Sequence, residues 1–237
     1  MTTHLIVVSE EADSLLKENL KKIGKVIELS PSSALYNGES CHPDMRICRI
    51  SESHCVVSPD LDKNILDKFD ESGISYEIGQ TILTKKYPEN IAYNVSVGDK
   101  IYFHNIEFTD GILSEKLEQF GKRAVNVKQG YSGCSSIFAG ETLITSDMGI
   151  YKKALTEKLK TILFKNPESI ILKGFDHGFI GGCCGFHEAT GLLVNCANEY
   201  LPEDFIVELN KNNIRYSCIG EGKLTDIGGI IIFTGHF

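Results

Sequence analysis

Apolar and polar positions follow one recurring order along this chain. A short apolar strand leads to a polar cap, an amphipathic helical stretch, a glycine, a second strand, and then a glycine-rich or polar segment. Five copies succeed one another. They read HLIVVSEEADSLLKENLKKIGKVIEL from His4, HCVVSPDLDKNILDKFDESGISYEI from His54, KIYFHNIEFTDGILSEKLEQFGKRAVNV from Lys100, TLITSDMGIYKKALTEKLKTILF from Thr142 and GLLVNCANEYLPEDFIVELNKNNIRYSCI from Gly191. Their starts lie roughly 40 to 50 residues apart, the range of repeat architectures.

The pattern predicts where each helix begins and ends. Ser9, Ser58 and Ser146 directly succeed the first strands, where a hydroxyl can accept from free helix N–H groups, and Pro59 suits a first helical position. Acidic residues crowd the adjoining positions (Glu10, Glu11, Asp60, Asp62, Asp147), favourable against a helix dipole. Leu16, Leu20 and Ile23 recur at helical spacing, as do Ile65 with Phe69 and Leu155, Leu159 with Ile162. Gly24, Gly73 and Gly121 are expected to close their helices in the left-handed conformation. The expected return strands are VIEL, SYEI, AVNV, IILK and RYSCI.

A further strand is needed between units, and MRICRI, IAYNVSV, CSSIFAG, FIGGCCGF and GGIIIFTG supply it. The unit is therefore ββαβ. The first unit lacks a preceding strand, so the C-terminal strand, Gly228 to Gly235, is expected to complete it, closing a ring and removing exposed sheet edges. The fold class expected is α/β, a five-bladed α/β propeller of pseudo-fivefold ββαβ repeats, as one domain over residues 1–237.

Composition narrows the function. The net charge of −8 and the pI near 5.4 argue against a nucleic-acid surface. No apolar run reaches the ~20 residues of a membrane span, and the N-terminus turns acidic without a basic region, so neither membrane nor signal peptide is expected. The eight cysteines include no CxxC pair; Cys55, Cys196 and Cys218 fall in strands as small apolar residues. A cytoplasmic protein with free thiols is the expectation.

Chemistry concentrates in the segments before the inner strands, which a ring aims at its axis. They are SCHPDM (40–45), YPENIAYN (87–94), QGYSGCSS (129–136), GFDHGFIGG (174–182) and LTDIGG (224–229). They hold His42, Asp44, Asn90, Asn94, Cys134, Asp176, His177 and Asp226. Plainer roles exist for most of these: Pro43 and Asp44 in a turn, Asp226 on backbone donors before Gly228, His177 on local backbone, and Cys134 as a small residue at a strand start.

Five ββαβ units in a ring resemble the pentein fold. It is shared by the guanidino-group-modifying enzymes (arginine deiminase, dimethylargininase, agmatine deiminase, amidinotransferases) and by a ribosome anti-association factor. HGFIGGCCGFHEATGLLV resembles the catalytic-histidine strand of dimethylargininases, DIGGIIIF their C-terminal glycine-rich strand, and AGETLITSD the strand entering a later unit. The HPDM, GY..C and GFIGG blocks together resemble a bacterial branch of unknown function with this fold.

The resemblance carries over by residue. His177 matches the general acid/base. The nucleophilic cysteine of those enzymes lies just beyond the C-terminal Gly-Gly, where this chain has Ile232. Their guanidinium-binding acid precedes LITSD, where GYSGCSS has no carboxylate. The standard deiminase mechanism is therefore not implied. Two readings stand. In one, the protein is a cysteine-dependent hydrolase or transferase acting on a small cationic amino-acid-like molecule. Cys134 would be the nucleophile, His177 or His42 the base, and His42, Asp44, Asn90, Asp176 and Asp226 the substrate-binding set. Glycines beside Cys134 would leave N–H groups accessible to an oxyanion. In the other, a non-catalytic ring binds a small ligand, or a protein or ribosomal partner. Cys134, His177 and His42 have the residue types of a metal site but no close spacing, so neither metal nor cofactor is expected.

Overall fold

The computed structural model describes residues 2–236. The chain begins with β1 (Thr2–Ser9), α1 (Ser14–Lys21) and β2 (Gly24–Leu29). A helical turn, α2 (Pro43–Arg46), leads into β3 (Ile47–Ser51), β4 (His54–Val57), α3 (Lys63–Glu71) and β5 (Ser75–Ile78). The third unit has β6 (Ser96–Val97), β7 (Ile101–His104), α4 (Gly111–Gln119) and β8 (Arg123–Asn126). A second turn, α5 (Ser132–Ser135), precedes β9 (Ser136–Ala139), β10 (Thr142–Thr145), α6 (Met148–Thr156) and β11 (Lys160–Leu163). The last elements are β12 (Cys184–His187), β13 (Gly191–Val194), α7 (Glu203–Lys211), β14 (Tyr216–Cys218) and β15 (Ile231–His236).

These strands form five three-stranded sheets. In each, the central strand pairs antiparallel with the inner strand and parallel with the return strand, the helix making the crossover. In the first sheet the inner strand is β15, which pairs with β1 from Thr2↔His236 to Val7↔Ile231. The end of the chain thus completes its beginning, giving a five-bladed α/β propeller. No helix among the described residues is long and apolar enough to cross a membrane.

The five helices bury the same two positions, one turn apart: Leu16 and Leu20, Ile65 and Phe69, Leu113 and Leu117, Ile150 and Ala154, Phe205 and Leu209. That spacing keeps both side chains on one face. In the fourth unit this corrects the sequence pattern: Leu155 is exposed, and Ile162 is buried in β11 rather than on the helix.

Several boundaries differ from expectation. Helices α1 and α3 start about four residues late and α6 about one, and in none does the serine cap the helix. Ser9 Oγ accepts from Glu11 N at 3.1 Å, while Asp13, Asp110 and Asp147 accept the helix N–H groups. Pro59 therefore lies in the turn before α3. Gly73 and Gly121 do close helices at positive φ, but Lys158 and Asn213 take that conformation in the last two units. Gly24 opens β2 instead; a Cβ there would run into the His4 carbonyl. The fourth return strand is KTIL, not IILK, of which Ile171 makes only an isolated bridge to Thr225. The inner strands are shorter than expected, and Cys134 lies in α5 rather than at a strand start.

Asp110 shows what these caps contribute. It is 1% exposed and accepts from Leu113 N, Gln80 N and Thr81 N at 3.1, 2.9 and 2.7 Å. Burial alone would raise its carboxyl, but bonds from Thr81, Leu113 and Gln80 outweigh that and hold it below the usual range. A lowered value stabilises the fold above the ordinary carboxylate range and is lost as pH falls through the folded value. Asp110→Ala is expected to cost about 2 kcal/mol in urea unfolding at pH 7, with a smaller loss at pH 3.

Candidate functional site

All five inner strands line an axial cavity of about 290 Å³. Asp44, Gly133, Gly181 and Gly228 line one part of it, with Arg49, Glu52, Lys122 and His187 also on its wall. A separate cleft of about 380 Å³ reaches His42 and Asp226 past Glu11, Lys173 and Thr225. The residues between these two spaces form the candidate site.

The α2 turn places His42 and Asp44. Pro43 occupies its first helical position and His42 its N-cap. The turn is tied to the far end of the chain: Asp44 N donates to Gly228 O at 3.1 Å. Gly228 has φ +74°, and a Cβ there would lie 2.5 Å from His42 Cα. Only glycine permits both that conformation and that approach.

Asp226 is 4% exposed. It accepts from Phe179 N at 2.9 Å and Gly228 N at 3.0 Å, and its Oδ1 lies 3.8 Å from His42 Nδ1. Cys134 is held by Asn94: its N–H donates to Asn94 Oδ1 at 3.1 Å, and Asn94 Nδ2 reaches its Sγ at 3.1 Å. Asn94 Nδ2 also reaches Asp44 O at 3.2 Å, so one amide spans two units. One ligand-type atom each from His42, Asp44 and Cys134 lie within 4.8 Å of one another.

Glu39 joins this group; the sequence reading missed it, although it sits one residue before SCHPDM. It is 5% exposed, and its Oε1 accepts from Asn90 Nδ2 at 3.0 Å. Asn90 Nδ2 also bonds Tyr131 Oη at 2.8 Å. Tyr131 packs on Tyr87 and Phe179, with ring centroids 5.8 and 6.4 Å apart.

Asp176 and His177 are not in the cluster. Both are exposed. His177 Nδ1 lies 3.0 Å from Gly178 O and its ring meets Phe179 edge-on at 5.8 Å. Among the described residues His177 makes no bond to Cys134, Asp44 or Asp226. The chain turns at Gly174, φ +84°, and carries both side chains outward before Gly178 packs on Asp226.

The electrostatics are one-sided. Burial pushes Asp44 up to about 6, His42 lowering it and Asp226 raising it. Burial also raises Asp226, with His42 opposing, and raises Glu39 against the bond from Asn90. Both Asp44 carboxylate oxygens are buried without a well-formed hydrogen bond, although the Cys134 thiol and the Asn94 amide approach and lower its value slightly. Among the described residues the one ion pair of these acids is His42 with Asp226. The Cys134 thiol is held well above its ordinary value by burial, then by Asp44 and Asp226. It is a neutral thiol until positive charge arrives.

Five ββαβ blades around a polar axial site define a pentein, the fold of the guanidino-group-modifying enzymes. The chain belongs to the Family of unknown function (DUF6873), whose model matches residues 7–231. DDAH from Pseudomonas aeruginosa, a cysteine-to-serine mutant complexed with citrulline, has a similar structure with a TM-score of 0.54. It is 9% identical over 94% of this chain and 93% of that one. ArgZ, an arginine dihydrolase from the ornithine-ammonia cycle in Cyanobacteria, gives a TM-score of 0.60 at 9% identity over 99% of this chain and 39% of that one. AgrE in ternary complex with ornithine and NAD+ gives 0.57 at 10% identity with the same coverages. This chain thus spans about two fifths of the latter two proteins. No curated protein matches it in sequence.

Proposed function

We propose that this protein is a Cys134-dependent hydrolase or transferase acting on a small cationic amino-acid-like molecule between the cleft and the axial cavity. The observation that carries this reading is the excess of buried acid at Glu39, Asp44 and Asp226, set against one imidazole. Buried carboxylates are costly unless paired, so a positively charged ligand gains most of what water would have supplied. The same ligand offsets the field of Asp44 and Asp226 on Cys134 and favours its thiolate, the reactive form. The structural neighbours supply the class by analogy, one being an arginine dihydrolase and two others complexes with citrulline and ornithine. Asp226, which lines the cleft with His42, and the buried Glu39, which feels both of them, are the proposed contacts for the cationic group.

Titration calorimetry with agmatine and L-arginine, and with neutral citrulline as control, tests this reading. The cations are expected to bind more tightly than citrulline. Asp226→Asn is expected to weaken them by about tenfold or more, the loss of one charge-assisted contact. Equal binding of citrulline, or an unchanged Asp226→Asn variant, counts against it. One observation favours the non-catalytic alternative. Ile232, where penteins of known activity have their cysteine, is 1% exposed and packed in the core of the first blade. Cation binding without turnover at any substrate concentration would select that alternative.

A further inference from the structure

We propose that His42, Asp44 and Cys134 form a binding site for a divalent metal ion of the zinc class. The proposal rests on the preceding reading only for the excess of buried acid. It leaves Glu39 and Asp226 to the organic cation and makes the metal the charge that turns Cys134 into a thiolate.

The three donor atoms lie within 4.8 Å of one another. Tetrahedral bonds of about 2.0–2.3 Å place ligand atoms roughly 3.3–3.8 Å apart. Closing the gap takes about 1 Å of side-chain movement by that measure. An imidazole nitrogen, a carboxylate oxygen and a sulfur are a borderline set, suited to zinc or cobalt and not to magnesium or calcium.

Asp44 supplies an independent reason. Both oxygens of its carboxylate are buried and neither makes a well-formed hydrogen bond, the Cys134 thiol and the Asn94 amide being its near polar neighbours. Buried polar atoms are nearly always paired, and each exception calls for an explanation such as an ion. Asp44 also lines the axial cavity.

The surroundings match what metal ligands require. A ligating histidine turns its second nitrogen to a carboxylate that orients the ring. Here His42 Nδ1 faces Asp226 Oδ1 at 3.8 Å, and Asp226 is itself fixed by two backbone N–H groups. Asn94 Nδ2 lies 3.1 Å from Cys134 Sγ, a donor to a metal-bound sulfur. Three protein ligands leave a fourth position for water or substrate, the arrangement of catalytic sites. Binding forms the metal–sulfur bond, and the Cys134 proton leaves to solvent. His42 and Asp44 stand side by side in the HPDM turn, but Cys134 comes from a different unit, so the full set has no sequence spacing to mark it.

Cobalt(II) titration of chelator-treated full-length protein tests the proposal. One equivalent is expected to give a near-ultraviolet sulfur-to-cobalt charge-transfer band and intense visible bands of tetrahedral cobalt, both abolished by one equivalent of zinc. Cys134→Ser is expected to lose the charge-transfer band. Asp226→Asn is expected to weaken the ion by about 10- to 100-fold through the histidine it orients. Cys218→Ser, outside the cluster, is expected to keep both bands. A circular-dichroism melt of each variant confirms folding. No band in the wild-type protein, or a band that survives in folded Cys134→Ser, overturns the site. Agmatine titration of the metal-free protein separates the two readings. Asp226-dependent agmatine binding with no cobalt site overturns the metal and leaves the organic-cation reading standing. A cobalt site with no agmatine binding upholds the metal and removes the organic cation.

Discussion

Asp44→Asn is expected to stabilise the metal-free protein at pH 7.5 by about 3 kcal/mol, a rise in melting temperature of about 6–12 °C for a chain of this size. Its carboxyl is pushed up to about 6 from an ordinary 3.8 by burial, which outweighs His42 and the weak approach of Cys134 and Asn94; neither oxygen makes a well-formed hydrogen bond. A carboxyl raised on folding binds its proton more tightly in the folded state. Wild-type stability therefore falls as pH rises from about 4 to about 6, and the loss is complete above that window. Asparagine carries no charge and escapes the loss. Its advantage is expected in full at pH 7.5 and gone by about pH 4. The same variant is expected to lose the proposed cobalt site and, under the proposed function, turnover through Cys134. Gains of stability at the expense of function are the usual mark of a site that holds uncompensated charge. Thermal melts of both proteins across pH 4 to 8 check the prediction. A wild-type protein at least as stable as the variant at pH 7.5, or a difference independent of pH, would refute the view that Asp44 is an unanswered charge.

Gly228→Ala is expected to cost about 2–5 kcal/mol and to remove ligand binding in whatever fraction still folds. Two effects add. The residue has φ +74°, where a side chain costs about 1–2 kcal/mol. A Cβ would also lie 2.5 Å from His42 Cα, and forcing atoms into a packed interior costs about 1–3 kcal/mol. Backbone stands in the way, so rotating a side chain gives no relief. Gly222→Ala is the control. Gly222 has φ +81° with nothing within 4 Å of a Cβ, so only the conformational cost applies. A Gly228→Ala loss no larger than that of Gly222→Ala would show that the HPDM turn can shift without penalty. Urea unfolding of the two variants side by side decides it.

The blades were legible because each is a local object. Short continuous apolar runs mark β1, β4, β7, β10 and β13, and the joining of head to tail followed from one missing strand. Boundaries were harder, because Ser9 and Asp13 are both good capping residues and only packing decides which meets the helix. The IILK segment reads as a strand but leaves just the Ile171 bridge, since β11 already fills that place. The site was legible in part. His42, Asp44, Cys134 and Asp226 converge, and Asp226 also has the backbone role its place before Gly228 suggested. His177 and Asp176 do not, because direction at the glycine-flanked turn depends on φ values that no residue pattern specifies. Glu39 went unseen because its relevance comes from Asn90, 51 residues away.

The bond from Asp44 N to Gly228 O joins residues that leave the ribosome at widely separated times. A half-made chain can begin pairing its early sheets but owns neither Asp226 nor the strand that docks on β1. The candidate site is thus assembled only once the segment carrying Asp226 and Gly228 has been made, and a product truncated before it cannot form that site.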